Sequence, residues 1–176
     1  MSKIDESQPF LPVRIAVLTV SDTRTVDDDK SGSTLVNLLQ EAGHELADRA
    51  IVPDDIAKLR ATVSAWIADP QIDVVITTGG TGFTGRDVTP EALQPLFEKH
   101  NDGFSIVFHM ISYQKIKTST VQSRACAGSA NGTYIFCVPG SPGACKDAWN
   151  EILKWQLDVR HRPCNFVEIM PRMMEQ

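Results

Sequence analysis

Short apolar runs and amphipathic stretches alternate along this chain. The apolar runs are rich in β-branched residues and have strand length, at Val13–Val20, Ile72–Ile76 and Thr133–Val138. Runs of this kind are typical of strands that are buried on both faces of a parallel sheet. Between them, apolar residues recur at helical spacing. Two such sets are Leu35, Leu38, Leu39, Ala42 and Ile56, Leu59, Val63, Trp66, Ile67. The alternation predicts a three-layer α/β sandwich with a mostly parallel sheet.

Weaker signals complete the predicted order of elements. His44–Val52 has period-2 character and predicts a further strand. Thr89 as N-cap, followed by Pro90, predicts a helix that runs to about His100. Asn131-Gly132 is a strong hairpin signal and adds one antiparallel strand. We therefore expect a flexible N-terminal arm over residues 1–12, a single domain over residues 13–170 and a C-terminal tail over residues 171–176.

Composition narrows the class of protein. The net charge of −5 argues against general nucleic-acid binding, which requires a basic face. No stretch approaches the roughly 18 apolar residues that would span a membrane, and the polar start is not typical of a signal peptide. The four cysteines lack C-x-x-C spacing, which favours reduced thiols in a cytoplasmic protein.

The stretch Ile72–Pro90 carries the strongest chemical signal. Its apolar run is followed by Gly79–Gly85, which contains four glycines, and then by Arg86 and Asp87. Glycine lets backbone approach a ligand closely, and successive N–H groups in such a turn form a concave anion site. This pattern predicts phosphate binding beside charged side chains. The alternative is a glycine-rich structural turn in which Asp87 is a local cap.

Two familiar phosphate-binding motifs do not fit this stretch. Residues 80–85 match G-x-G-x-x-G, but the helix opens later than a dinucleotide fingerprint requires. Residues 101–117 also lack the pattern of the strand that should follow. No G-x-x-x-x-G-K-[ST] occurs, so a P-loop is excluded.

Four loops should converge in the predicted fold, because ligands bind beyond the carboxyl ends of parallel strands. These loops are Ser21-Asp22, Pro53-Asp54, Gly79–Asp87 and Gly140–Gly143. The glycine turns feed helix starts that favour anions, and the loops carry three aspartates that could share Mg²⁺ with a substrate phosphate. Backbone donors together with carboxylates suit phosphoryl or nucleotidyl transfer.

Individual residues in these loops have competing interpretations. Asp54 is as good a candidate for a helix N-cap as for a catalytic residue. Ser141 resembles a nucleophile, but Pro139 replaces the first glycine of G-x-S-x-G and no triad partners follow. We therefore expect Ser141 to contact a ligand.

Two motifs together resemble a known family. They are T-T-G-G-T-G-F-T-G-R-D-V-T-P-E-A, from Thr77, and P-G-S-P-G-A-C, from Pro139. The pair is similar to the molybdenum cofactor biosynthesis family of the MoaB/MogA type, and the resemblance covers residues 13–170. T-S-T-V-Q-S-R, from Thr118, and the ending R-P-C-N-F are most similar to the MoaB branch.

The resemblance implies that the chain binds molybdopterin. In active members of this family, an adenylyl group passes from Mg-ATP to the terminal phosphate of molybdopterin. Asp54 and Asp87 match the two functional aspartates and would also hold Mg²⁺. The expected substrate-binding residues are Ser21, Asp22, Thr78, Gly79, Gly80, Thr81, Gly82, Arg86, Gly140, Ser141 and Pro142.

Other functions stay open at this point. Some MoaB-type members have lost the acid of R-D-V-T-P and are thought inactive, but this chain keeps both aspartates. The main alternative is a non-catalytic molybdopterin carrier of the same pathway. A nucleotide-pyrophosphate hydrolase on the same fold is a more remote third interpretation.

A second apolar feature of the sequence concerns the assembly of the protein. Phe104–Ile111 is apolar on more sides than one buried stripe requires, and Phe166–Met170 adds to it. Such patches usually mark an interface, although this segment could also fill the domain's own core. The resemblance implies a homo-oligomer, a trimer or hexamer, with other cofactor-biosynthesis proteins as candidate partners.

Overall fold

The structure is a computed structural model that describes residues 3–175. Its strands are β1 Lys3–Ile4, β2 Arg14–Val20, β3 Glu45–Val52, β4 Val74–Thr78, β5 Lys99–His100, β6 Cys126–Ala130, β7 Thr133–Val138 and β8 His161–Arg162. Its α-helices are α1 Lys30–Glu41, α2 Ile56–Ala68, α3 Thr89–Leu93, α4 Asp102–Ile116, α5 Pro142–Ala148, α6 Lys154–Gln156 and α7 Phe166–Ile169. Short 3₁₀ segments lie at Gln94–Leu96, Lys117–Gln122 and Met170–Arg172, and a π-helical turn at Trp149–Leu153 joins α5 to α6.

Six strands form the main sheet in the order β3-β2-β4-β7-β6-β5. The first four are parallel, and β6 runs antiparallel to β7 and to β5. Asn131 and Gly132 connect β6 to β7 with φ of 47° and 78°, as the hairpin signal predicts. The predicted fold class is thus confirmed: a mixed α/β domain with a mostly parallel sheet.

Two apolar cores cover the faces of this sheet. Neighbouring residues of β4 point to opposite faces, so that Ile76 packs in the core with Leu35 of α1, whereas Val75 packs in the other with Leu59 of α2. All four of these side chains are fully buried, and each contributes about 1.5–3 kcal/mol to folding. The rigid core therefore fixes where the carboxyl ends of the central strands lie.

The predicted helix from Pro90 to His100 is wrong over its second half. α3 ends at Leu93, and Lys99–His100 instead forms the edge strand β5 beside β6. The ring of Phe97 covers Gly128 so closely that a Cβ there would lie 2.4 Å from it. This packing holds the segment after α3 on the edge of the sheet, where it does not continue the helix.

The segments at the two ends of the chain pack on the domain where they are described. β1 pairs with β8, and the ring of Phe10 lies 5.1 Å from that of His44. The remaining residues of the predicted arm and tail, Met1, Ser2 and Gln176, lie outside the described residues. None of the helices between residues 3 and 175 has the length and apolar character that a membrane crossing requires.

Helix α4 has one apolar face that is buried and one that is exposed. Phe104 and Phe108 are buried in the core, whereas Ile106 and Met110 are 60% and 64% exposed. The segment that the sequence identified as unusually apolar therefore fills the domain's core with one face. Its other face is left bare on the single chain.

Candidate functional site

A cavity of about 500 Å³ opens at the carboxyl ends of β2, β3, β4 and β7. This is the edge at which the sequence predicted convergence. Ten predicted site residues line the cavity: Ser21, Asp54, Thr78, Gly79, Gly80, Thr81, Gly82, Arg86, Asp87 and Gly140. Three others, Asp22, Ser141 and Pro142, lie beside the cavity without lining it. A volume of this size suits a small-molecule ligand.

The first two glycines of the loop are required by the turn itself. Gly79 and Gly80 have φ of 107° and 64°, a region that strongly favours glycine. A Cβ at Gly79 would lie 2.3 Å from the carbonyl oxygen of Val20. At Gly80 it would lie 2.3 Å from Thr89 Oγ1 and 2.8 Å from Asp54 Oδ1. The turn therefore brings backbone, hydroxyl and carboxylate together with no room for a side chain.

Thr89 joins this turn to α3. Its hydroxyl donates to the carbonyl of Gly79 at 2.9 Å, and its backbone N–H donates to the carbonyl of Gly80 at 2.9 Å. The prediction that Thr89 is the N-cap is wrong, because the N-cap is Val88 and Thr89 is the first helical residue. The hydroxyl is used to hold the glycine turn instead.

Asp54 is not the helix cap, which removes one of its two interpretations. The cap of α2 is Asp55, whose carboxylate accepts from the backbone N–H of Lys58 at 2.9 Å. Asp54 instead directs its carboxylate to the glycine turn. Burial raises its pKa, and the nearby charges of Asp22 and Asp87 raise it further. A cation beside Asp54 would relieve this repulsion.

Asp87 lies on the other side of the glycine loop. Its Oδ2 accepts from the backbone N–H and the hydroxyl of Thr84, at 2.8 and 2.6 Å. Burial acts to raise the pKa of Asp87, but the hydrogen bonds from Thr84 and Gly82 outweigh it, so that the pKa falls below its usual value. Asp87 thus closes a local turn with Thr84 but does not cap α3, whose N-cap is Val88, and its carboxylate also lies on the cavity wall.

Asp22 and Arg86 bind each other across the cavity mouth. Arg86 Nε donates to Asp22 Oδ2 at 2.9 Å, and Arg86 Nη2 donates to Oδ1 at 2.8 Å. Asp22 Oδ1 also accepts from the backbone N–H of Asp54 at 3.2 Å. The hydrogen bond from Arg86 lowers the pKa of Asp22. Asp22 therefore ties together the loops after β2, β3 and β4.

The loop after β7 is held by short local contacts. Ser141 is the N-cap of α5, and its Oγ accepts from the backbone N–H of Ala144 at 3.1 Å. Pro142 is the first residue of that helix. Thr78 Oγ1 donates to the carbonyl of Pro139 at 3.0 Å. Ser141 and Thr78, which the sequence predicted to contact a ligand, thus form hydrogen bonds within the protein itself.

Arg124 was not predicted as a site residue. Its Nε donates to the carbonyl of Gly82 at 2.8 Å, its Nη2 to that of Asp87 at 2.9 Å, and its backbone N–H to that of Thr81 at 2.9 Å. The guanidinium also lies 5.2 Å from the centroid of the Phe83 ring. Arg124 thus clamps the whole glycine loop. It ends the T-S-T-V-Q-S-R stretch, the only sequence signal that marked it.

A buried charge cluster forms the back of the cavity and was also missed. Asp29, which is 2% exposed, accepts from Thr19 Oγ1, Arg49 Nη2 and the backbone N–H of Gly32, at 2.7, 2.9 and 2.9 Å. Burial acts to raise the pKa of Asp29, but these partners lower it overall. The other missed lining residues are Val20, Thr23, Arg24, Ser31, Gln122, Ser123 and Pro139.

A complete metal site is not formed by side chains alone. Among residues 3–175, no group of three His, Cys, Asp or Glu side chains is arranged to hold a metal ion. Any Mg²⁺ held by Asp54 and Asp87 would need further oxygen ligands from a substrate or from water.

Comparison with known proteins identifies the class to which this fold and cavity belong. Residues 16–159 match the family described as "Probable molybdopterin binding domain". The chain therefore belongs to the molybdenum cofactor biosynthesis family, in its MoaB branch.

Individual relatives support this placement. The chain is 54% identical to Molybdenum cofactor biosynthesis protein B of Escherichia coli (strain K12) over 160 residues, which is 91% of this chain and 94% of that protein. It is 46% identical to the protein of the same name from Bacillus subtilis (strain 168), over 80% of this chain and 84% of that protein.

Solved structures agree with the sequence relatives. A crystal structure of a Molybdenum cofactor biosynthesis protein B has a TM-score of 0.86 and 39% identity, covering 96% of this chain and all of that one. The tungsten cofactor synthesizing protein MoaB from Pyrococcus furiosus has a TM-score of 0.73 and 36% identity, covering 81% and 91% of the two chains. The resemblance suggested by the two motifs is confirmed.

Proposed function

We propose that this protein adenylylates the terminal phosphate of molybdopterin with Mg-ATP. The observation that carries the proposal is the placement of Asp54 and Asp87 on either side of one glycine turn. A Cβ at Gly80 would lie 2.8 Å from Asp54, and one at Gly82 would lie 2.8 Å from Asp87. Two carboxylates beside a glycine-rich turn suit the transfer of a nucleotidyl group between phosphates.

The residues present fit a magnesium ion. Burial and the charges of Asp22 and Asp87 raise the pKa of Asp54, so a cation beside it would offset both effects. Asp54 and Asp87 would supply two oxygen ligands, and substrate phosphate oxygens and water would supply the rest. When bound, Mg²⁺ would offset the charge of the transferring phosphate.

The protein's own groups would bind and orient the substrates. The glycine loop lines the cavity together with Asp54 and Asp87, and Arg86 adds a positive charge at the cavity mouth. Arg124 holds the loop in place by donating to three of its backbone carbonyls. A loop that is rigid before the substrate binds loses little entropy on binding.

Purified protein incubated with molybdopterin and Mg-ATP should therefore yield adenylylated molybdopterin and pyrophosphate. Asp87→Asn and Asp54→Asn should each lower the transfer rate by about 10²-fold or more, because a metal ligand acts chiefly on the transition state. Asp55→Asn is the matched control, since it preserves a helix cap outside the cavity. Transfer at the wild-type rate by both site variants would remove these carboxylates from the mechanism.

A non-catalytic molybdopterin carrier is the second candidate function. The contacts of Asp87 with Thr84 favour it, because they give the carboxylate a purely structural role in closing the loop. The same incubation separates the two functions. A carrier would bind molybdopterin, and neither the wild type nor the variants would form the adenylylated product.

We also propose that the protein is a homo-oligomer, a trimer or hexamer, that buries the bare face of α4. Ile106 and Met110 on that face are 60% and 64% exposed, and an apolar patch of this kind is unusual on a monomer. Ile106→Lys with Met110→Lys should reduce the mass measured by light scattering after size exclusion. Val26→Lys, at a side chain that is 64% exposed in a loop, is the control. A monomeric wild type at micromolar concentration would refute the assembly.

A further inference from the structure

Asp22 has little capacity left for a substrate. Both of its carboxylate oxygens accept from Arg86, and Oδ1 also accepts from the backbone N–H of Asp54. Arg86 lines the cavity, whereas Asp22 does not. The two residues are 64 positions apart in the chain, so only the tertiary fold brings them together.

The orientation of Arg86 in this pair is specific. Its Nε and Nη2 face Asp22, which is the side-on arrangement of a guanidinium on a carboxylate. A guanidinium has five N–H donors in a planar fork. Within residues 3–175 the side-on arrangement leaves its other edge, formed by Nη1 and the second N–H of Nη2, available to a second acceptor with two oxygens. Phosphate matches that edge in a bidentate manner.

We propose that Asp22 is a positioning residue, which holds the Arg86 guanidinium side-on so that its free edge binds a phosphate group of the substrate. The inference rests on the proposed function and assigns Asp22 and Arg86 different roles within it. Asp22 would touch no substrate atom and hold no metal. Its contact with the Asp54 N–H would couple the arginine to the loop that carries the carboxylate.

A double-mutant cycle on binding separates this role from direct contact. Calorimetry should measure the affinity of the wild type, Asp22→Asn, Arg86→Ala and the double variant, for molybdopterin in one arm and a non-hydrolysable Mg-ATP analogue in the other. Both side chains are partly exposed in loops, so the variants should fold. Asparagine at position 22 keeps an acceptor for the Asp54 N–H but cannot bind the guanidinium as a charged bidentate partner.

We expect the loss of affinity in Asp22→Asn to depend on the presence of Arg86. Arg86→Ala should weaken binding about tenfold or more in the arm whose phosphate it contacts, as expected for a charge-assisted hydrogen bond. Asp22→Asn should weaken binding about threefold to tenfold when Arg86 is present. In the Arg86→Ala background it should change binding by less than about twofold. The Nε–H signal of Arg86 in ¹⁵N NMR should also lose its protection from exchange in Asp22→Asn.

Glu175→Gln is the matched control. Arg172 binds Glu175 with the same side-on geometry, through Nε at 2.9 Å and Nη2 at 3.0 Å, but this pair lies in the C-terminal tail. Loss of the Arg172–Glu175 pair should leave the affinities for molybdopterin and for the Mg-ATP analogue unchanged.

The outcomes distinguish the two proposals. Equal losses from Asp22→Asn in both backgrounds would make Asp22 a direct ligand and overturn the inference, as would full affinity of Arg86→Ala in both arms. A cycle with the expected coupling but no adenylylated product would refute only adenylyl transfer. A wild type that binds neither ligand would overturn both.

Discussion

Replacing Gly80 by alanine tests whether the glycine turn is organised as the structure describes. The new Cβ would lie 2.3 Å from Thr89 Oγ1 and 2.8 Å from Asp54 Oδ1, at a φ of 64°. Thr89 cannot easily move, because it is fully buried and its hydroxyl donates to the carbonyl of Gly79. The substitution should therefore act first on the turn and then on the ligand.

The magnitude combines two effects. A left-handed conformation costs a residue with a Cβ roughly 1–2 kcal/mol. Displacing the Thr89 hydroxyl leaves buried polar groups unpaired, at about 1–3 kcal/mol. The loss of unfolded-state entropy offsets about 0.4–1 kcal/mol of this. We expect Gly80→Ala to lower the free energy of unfolding by about 2–4 kcal/mol, a large share of the stability of a typical domain.

Urea unfolding followed by tryptophan fluorescence measures this difference, at one protein concentration for all variants. Gly85→Ala is the matched control in the same loop, because its Cβ would meet nothing within 4 Å and its φ is not positive. It should stay within about 0.5 kcal/mol of the wild type. Molybdopterin affinity should fall in Gly80→Ala and persist in Gly85→Ala.

Two results would refute this reasoning. One is a Gly80→Ala protein whose stability matches that of Gly85→Ala. The other comes from adding Thr89→Ala, which removes the hydroxyl that the new Cβ strikes. The double variant should then be destabilised by less than the sum of the two single changes, and simple additivity would mean that the contact between positions 80 and 89 is absent.

Two further predictions concern buried polar groups away from the glycine turn. Burial lowers the pKa of His44 to about 4 from 6.5, so the neutral imidazole is favoured in the folded state. The contribution of His44 to the free energy of unfolding is therefore complete above the unfolded pKa of 6.5, and it is lost as the pH falls from there towards 4. Between pH 7.5 and pH 5 this group should remove about 2 kcal/mol of stability, and urea titrations of His44→Asn should lack that part of the pH dependence. Asp29→Asn should lower the free energy of unfolding by about 2–4 kcal/mol, because it leaves the charge of Arg49 without its buried partner. Asp28→Asn, in the neighbouring exposed loop, is the control. A loss of stability in Asp29→Asn no larger than that in Asp28→Asn would contradict the buried charge cluster around Asp29.

Local sequence determined much of the fold. The β-branched runs became the buried strands β2, β4 and β7, because a run that is apolar on both sides can be buried only in the middle of a covered sheet. Gly43 ends α1 at a φ of 90°, and Asn131-Gly132 forms the hairpin. The order of strands and helices then placed the glycine loop and Asp54 at one edge of the sheet, as the pattern predicted.

Tertiary structure decided which neighbouring residue performs each task. Asp54 and Asp55 are alike in the sequence, but only the folded chain assigns the cap to Asp55 and the cavity to Asp54. Thr89 has the local pattern of a cap, yet the carbonyl of Gly79, ten residues earlier, takes its hydroxyl. Local propensity is a weak preference that a well-placed distant partner overrides.

The contacts that organise the site are the least visible in the sequence. Arg124 clamps Gly82 from 42 positions away, and Arg86 binds Asp22 from 64 positions away. The motifs indicated which family and which loops to consider, because glycines and acids in a short stretch record local backbone needs. They could not indicate that Asp22 serves Arg86, because the orientation of one side chain on another exists only after the strands between them have been packed into one sheet.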